Sequence, residues 1–290
     1  MSDVMCVVRR DCLLGEGPCW DERGGTLYWV DIKGYAIESF CPSTSTHRRF
    51  KLDAQPSGIA TRRDGTLIVA CDRGCALFDP SRGTLHSKWS IEEDRIENRC
   101  NDAKADSMGR FWVGTMHDGE KEDTGALYCI SADRSARCML DNVGISNTLA
   151  WSPDDTTFYF ADSRIQTIFA FNFDKKTGQI SNRRIFATTL GQSMAPDGSA
   201  MDGEGYLWNA QWGGSRVVRY APDGQIDRII TLPVSQPTSC AFGGPGLSTL
   251  YITSARTGLD AGQLAGEPLA GSIFALDAGV AGLPVHDFAA

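Results

Sequence analysis

Residues 147–174 read NTLAWSPDDTTFYFADSRIQTIFAFNFD. Three short runs rich in Phe, Tyr, Ile and Trp follow one another, and each is too short for a stable helix and of strand composition. Between the first two lies SPDD, where proline presets a turn and the aspartates bond their own backbone. The stretch therefore predicts a strand, a tight turn, a second strand, a loop and a third strand.

Working outward, the same unit recurs. It appears at 17–42 (GPCWDERGGTLYWVDIKGYAIESFCP), at 56–80 (PSGIATRRDGTLIVACDRGCALFDP), and at 101–116 with 125–133 (NDAKADSMGRFWVGTM, GALYCISAD). It returns at 196–224 (PDGSAMDGEGYLWNAQWGGSRVVRYAPDG) and at 237–255 with 271–278 (PTSCAFGGPGLSTLYITSA, GSIFALDA). Equivalent points lie about 40 to 50 residues apart, the period of propeller blades. Six antiparallel sheets close best into a ring, which leaves only short protected edges. The expected architecture is an all-β, six-bladed β-propeller over residues 1–290 as one domain, with no linker dividing it. The N-terminal segment VMCVVR is expected to complete the last blade.

The 290 residues carry 28 Lys and Arg against 36 Asp and Glu, a net charge of −8. That balance argues against nucleic acid as a partner, since phosphate binding needs a basic surface. No apolar run reaches the roughly 18 residues of a membrane span, and the start lacks the apolar core of a signal peptide. Ten scattered cysteines form no CxxC pair. They read as reduced, mostly buried thiols in a cytoplasmic protein.

A propeller gathers residues of equal phase around one channel mouth. The position just before each innermost strand gives Glu16 in the first unit, Arg99, Asn101 and Asp102 in the third, and Ser146 and Asn147 in the fourth. It gives Asp197 in the fifth and Gln236, Pro237 and Thr238 in the sixth. Glu16 stands in LLGEGPCW (13–20), between two glycines and ahead of Pro18, which predicts a tight loop displaying one carboxylate. Glu16, Asp197 and the amide oxygen of Asn147 are hard donors suited to one divalent cation, Ca²⁺, Mg²⁺ or Mn²⁺, with Zn²⁺ or Fe²⁺ also possible. Arg99 adds a cationic fork for an oxygen-rich ligand. His117 opens MHDGEKEDTG, a polar insertion able to lie over the channel as a lid. In WNAQWGG, Asn209, Gln211 and one of Trp208 and Trp212 could pack one sugar face and bind its hydroxyls, the other tryptophan being core. The chain has no GxSxG elbow, HExxH or P-loop.

The motifs GEGP, RCNDAKAD–GR–W–GTM, GISN, SPD, FY–ADS, PDG–A–D–EG–LW and QPTSCAFGG together resemble the regucalcin (SMP-30)/gluconolactonase family over about residues 12 to 275. The resemblance implies a six-bladed propeller, a single metal in the channel and hydrolysis of sugar lactones to aldonic acids. Carried over by motif, it implies Glu16, Asn147 and Asp197 as metal ligands, Asp197 also as catalytic base, and Arg99 and Asn101 as substrate contacts. The lid does not align cleanly; His117 and Glu120 are its expected substrate-binding residues, with Asp118 also open. GISN is followed by Thr148 where glycine is common. Residues 205–238 look most similar to bacterial pentonolactonases, so L-arabinono-1,4-lactone is the expected substrate, with gluconolactone, xylonolactone or galactonolactone as alternatives. The expected assembly is a monomer or weak homo-oligomer. The competing expectation is a non-enzymatic calcium-binding or docking propeller.

Overall fold

The computed structural model describes residues 3–290. Six four-stranded antiparallel sheets form the ring of a six-bladed propeller, as expected. The first blade runs outward from the channel as Gly15–Asp21, Thr26–Asp31, Ala36–Cys41 and Thr46–Lys51. The other innermost strands are Pro56–Thr61, Asn98–Ala105, Ser146–Trp151, Ala195–Met201 and Pro237–Gly243. The sixth blade takes its outermost strand, Met5–Val8, from the N-terminus, which pairs with Ile273–Asp277. The ring is thus closed by hydrogen bonds between chain ends that are far apart in sequence.

Apolar residues of neighbouring blades interleave to form the core. Trp112, Trp151, Phe158 and Phe173 pack between the third and fourth blades. Trp208 packs against Phe242 between the fifth and sixth. Two of these tryptophans belong to a local D-x-x-G-x-x-W unit. Asp106 and Asp202 each take turn amides on Oδ1 and the indole N–H of Trp112 or Trp208 on Oδ2, at 2.8 and 2.9 Å. Gly109 and Gly205 turn these corners at φ of +78° and +86°, a region open to glycine without steric cost. One carboxylate therefore sets the turn and anchors the largest core side chain. An α-helix of one or two turns, Ala261–Gly266, sits in the last blade behind an Asp260/Gln263 capping box. Among the described residues, no helix is long and apolar enough to cross a membrane.

All six innermost strands break register at the same point: after Glu16, Pro56, Cys100, Asn147, Pro196 and Pro237. Such a bulge re-aims the side chains beside it. This corrects the expectation of a free loop at Glu16. The residue lies inside a strand, and the bulge, with Gly17 at φ +51°, turns its carboxylate to the axis.

Candidate metal centre and active site

Glu16 and Asp197 act on each other at one mouth of the channel, and Asn147 is tied to the residue before Asp197 through Ser163; each of the three is less than a tenth exposed. The Glu16 and Asp197 carboxyls lie close enough to act on each other although 181 positions separate them in sequence. Burial and then mutual charge push the Asp197 carboxyl well above its ordinary value. Burial and then the charge of Asp102 push the Glu16 carboxyl up. The Glu16 side chain is fixed by the Gly17 N–H at 3.0 Å. Asn147 donates through Nδ2 to Ser163 Oγ at 2.8 Å, and Ser163 donates to the Pro196 carbonyl at 2.6 Å. Its amide oxygen accepts from Asn101 Nδ2 at 3.0 Å and keeps a second lone pair.

Two buried carboxylates and an oriented amide oxygen, crowded until their charges oppose each other, are a fitting donor set for a hard divalent cation. A third carboxyl, Asp102, is buried beside them and accepts from the Leu149 N–H at 3.3 Å. Burial raises it and the Lys104 ammonium draws it back. Lys104 thus acts on Asp102, and Glu16 and Asp197 remain as two carboxyls for one divalent ion.

Arg99 and Asn101 flank this cluster. Arg99 donates from Nε to Asp118 Oδ1 at 2.7 Å and from Nη1 to the Cys100 carbonyl and to Asn101 Oδ1, at 2.9 and 2.7 Å. Its Nη2 has no hydrogen bond among the described residues. Beside Arg99 opens a recess of about 460 Å³, walled by Gln55, Arg73, Glu97, Asn98, His117 and Asp118. That volume suits a small organic ligand.

The insertion after Phe111–His117 crosses this mouth and is clasped from two sides. Lys33 of the first blade donates to Asp118 Oδ1 at 2.6 Å, so one carboxylate oxygen joins Lys33 and Arg99. From the fourth blade, Arg164 pairs with Asp123 at 2.8 Å and donates to the carbonyls of Glu120 and Lys121. His117 is buried at the strand end, where its Nδ1 accepts from the Gly119 N–H at 2.9 Å and its Nε2 lies 3.4 Å from Glu97. Glu120 is exposed at the lid's crest with φ +56°. Of the three lid candidates, Asp118 is the one that touches Arg99.

Other expectations from sequence are corrected. Trp208, Asn209 and Gln211 are fully buried in the fifth blade. Trp208 serves Asp202; Asn209 Nδ2 donates to the Asp197 carbonyl and Ser199 Oγ; Gln211 bonds Tyr220 and Arg216. These amides tie inner strands together and do not face a ligand. Sequence reasoning missed Lys33 and Ser163. Lys33 stands at the turn between second and third strands, the same place in its blade as the lid in the third. Ser163 follows the FYFAD strand, directly opposite the Asn147 bulge.

The ten cysteines are all free thiols. A second group of ligand-type residues, Cys12, Asp31 and Glu38, lies buried in the first blade. Glu38 is already paired with Arg10, Arg49 and His47, and Asp31 with Arg49, so positive charge fills the place a cation would take.

The family model described as "SMP-30/Gluconolactonase/LRE-like region" matches residues 14–256. A regucalcin of Oryctolagus cuniculus is 36% identical over 293 residues, covering 99% of this chain and 98% of that protein. A crystal structure of a calcium-binding protein, regucalcin, from Agrobacterium tumefaciens superposes with a TM-score of 0.95 at 29% identity, over 100% of this chain and 98% of that one. A luciferin-regenerating enzyme superposes with a TM-score of 0.88 at 31% identity and the same coverage. With the matched region spanning five blades and the two inner strands of the sixth, the chain belongs to the SMP-30/gluconolactonase/LRE-like family.

Proposed function

We propose that this protein is a metal-dependent hydrolase that opens sugar lactones to aldonic acids, with a pentonolactone such as L-arabinono-1,4-lactone as preferred substrate. The reading rests on one observation above the others. The Glu16 and Asp197 carboxyls lie together with no lysine or arginine paired to either among the described residues, and the Asn147 amide oxygen is joined through Asn101 to Arg99, which lines a ligand-sized recess. Gluconolactonase in the family's description and the calcium-binding regucalcin among its structural neighbours support the same reading.

Glu16, Asn147 and Asp197 would hold the divalent ion. When bound, it supplies Lewis-acid stabilisation of the negative charge that develops on the lactone carbonyl oxygen. Asp197 takes a proton from the attacking water. Burial raises its basicity, and a cation held beside it would draw that basicity back down. The new C–O bond forms at the carbonyl carbon, the ring C–O bond breaks, and the leaving oxygen takes a proton to become the hydroxyl of the aldonic acid. Arg99 Nη2 and the Asn101 side chain hold substrate hydroxyls; Asp118 keeps the guanidinium in place. The lid excludes water from the recess, with His117 forming its base and Glu120 its crest.

Acid release from a panel of aldonolactones, with metal stripped and restored, tests this. Turnover should vanish on chelation, return with the metal, and fall together with metal affinity in Glu16→Gln. Tight metal binding with no turnover of any lactone would instead assign the site to a cation-binding propeller.

A further inference from the structure

The channel has a second end. Below the carboxylates the inner strands turn apolar and enclose a cavity of about 220 Å³, lined by Ile59, Ala105, Ala150, Met201 and Phe242 among others. The C-terminal tail roofs it. Leu283 N–H donates to the Met201 carbonyl of the fifth blade at 3.1 Å. Further on, Phe288 N–H donates to Thr61 of the second blade and Ala289 N–H to Gly109 of the third, at 2.8 and 3.0 Å. Asp287 is held by Arg23 and Thr61. Between these anchors, Pro284, Val285 and His286 line the cavity and make no hydrogen bond to the ring among the described residues. The strap is therefore tied at both ends and free over the cavity.

Asp102, Ser152, Asp155, Ser239 and His286 also line the chamber, and Lys104 is its one ammonium. Lys104 Nζ donates to the Ser199 carbonyl at 2.8 Å and has no carboxylate within ion-pair distance. An ammonium carries three donors, so two are left over. Its charge is balanced at longer range by Asp102 above it. An added anion would meet the fields of Asp102, Glu16 and Asp197. An added cation would lie beside Lys104, with Asp155 already engaged by Ser107 and Lys175 and Asp102 already set against Lys104. Burying either charge without a partner is costly. The chamber instead suits an uncharged body that offers an acceptor to Lys104. An engineered apolar cavity of about 150 Å³ accommodates benzene; scaled to this volume, the occupant has roughly eight to ten non-hydrogen atoms.

We propose that the lower chamber is a second ligand site, separate from the metal mouth. It takes a compact neutral molecule with one hydrogen-bond acceptor, held by Lys104 and admitted by displacement of residues 284–286.

Acetophenone is a suitable probe, with benzoate and benzylammonium as charged molecules of similar shape. Titrated calorimetrically into the metal-loaded full chain, acetophenone should saturate one site and bind at least about tenfold more tightly than either charged analogue. Saturating sugar lactone at the other mouth should not displace it. Ala105→Leu fills the chamber and should weaken acetophenone at least about tenfold while metal affinity is retained. Should that core variant fail to fold, Val285→Trp on the strap, where the native side chain is 37% exposed, should have the same effect. Lys104→Met should weaken acetophenone several-fold and leave toluene unchanged. Absence of saturable binding, equal binding in the filled variants, or benzoate matching acetophenone would each overturn the proposal.

Discussion

The Thr148 hydroxyl of the fourth blade donates to the main-chain oxygen of Asp197 in the fifth, and also lies 2.9 Å from Ser199 Oγ. It ties the strand carrying one candidate ligand, Asn147, to the strand carrying another. Thr148 holds this place at φ +53°, a region that a β-branched residue enters only at a cost. Gly17, the residue after Glu16, takes the same backbone form at φ +51°. Thr148→Val keeps the strain and loses the tether, so it should destabilise the fold by about 2 kcal/mol. Thr148→Gly loses the tether but relieves about 1–2 kcal/mol of left-handed strain, and should be the milder change. Denaturant unfolding of the metal-free protein reads the order directly; a Gly variant less stable than the Val variant would refute the balance.

The lid offers a separate test because its clasps lie outside the carboxylate cluster. Arg164 and Lys33 reach it from the fourth and first blades. Both contacts are partly solvated and so are screened by salt. Arg164→Met should raise KM for the lactone several-fold while kcat stays within about twofold, since the reacting groups are untouched. Raising ionic strength from about 0.05 to about 0.5 M should raise KM in the wild type and do so less in the variant. A kcat loss with unchanged KM would place the role of Arg164 in the chemistry.

Acid stability should be set in the first blade. Burial alone would raise the Glu38 carboxyl; the hydrogen bond with His47 and the charges of Arg10 and Arg49 outweigh it and hold the group below its ordinary 4.5. A carboxyl lowered on folding contributes stability that is present above its unfolded value and is lost as pH falls through the folded one. Glu38→Gln leaves Arg10 without its anion and Arg49 with Asp31 alone, and should cost about 3 kcal/mol at neutral pH. The gap between wild type and variant, measured as urea midpoints, should narrow from about pH 5 to about pH 3. A gap that stays constant over that range would remove Glu38 as the acid-labile group.

The turn chemistry of SPDD, DGEG and APDG marks blade corners by local rules, so the ring was legible from sequence alone. Phase then placed Glu16, Asn101, Asn147 and Asp197 at one mouth, because equal positions in a ring share one axis. The amides of WNAQWGG could not be assigned the same way. Alternation along a strand shows two faces, but in a propeller both faces of a blade are packed against neighbours, and Asn209 and Gln211 bond inward. The Lys33–Asp118 contact was equally hidden, since it spans 85 positions and two irregular loops with no shared period. The bulge at Glu16 escaped because Gly-Glu-Gly-Pro suits a loop and a distorted strand alike.

The roles assigned to Asp197 and Asn101 separate under one comparison. Asp197 is given two tasks, cation ligand and base; Asn101 only supports, through its bonds to Asn147 and Arg99, and meets the substrate. Asn101→Ala removes one substrate contact and leaves the three oxygen donors, so metal should still bind and kcat/KM should fall about tenfold. Asp197→Asn keeps the shape and one donor oxygen but loses charge and basicity. It also removes the repulsion from Glu16, so the metal-free variant should be more thermally stable than the metal-free wild type. Its kcat should fall about 10²-fold or more, and excess metal should refill the site without restoring turnover. If saturating metal returns Asp197→Asn to near-full turnover, Asp197 is a ligand alone, and the proton of the attacking water must leave by another group at the mouth. His117 and Glu120 are then the residues to substitute next, His117 first, because its imidazole is buried at the lid's base beside the recess.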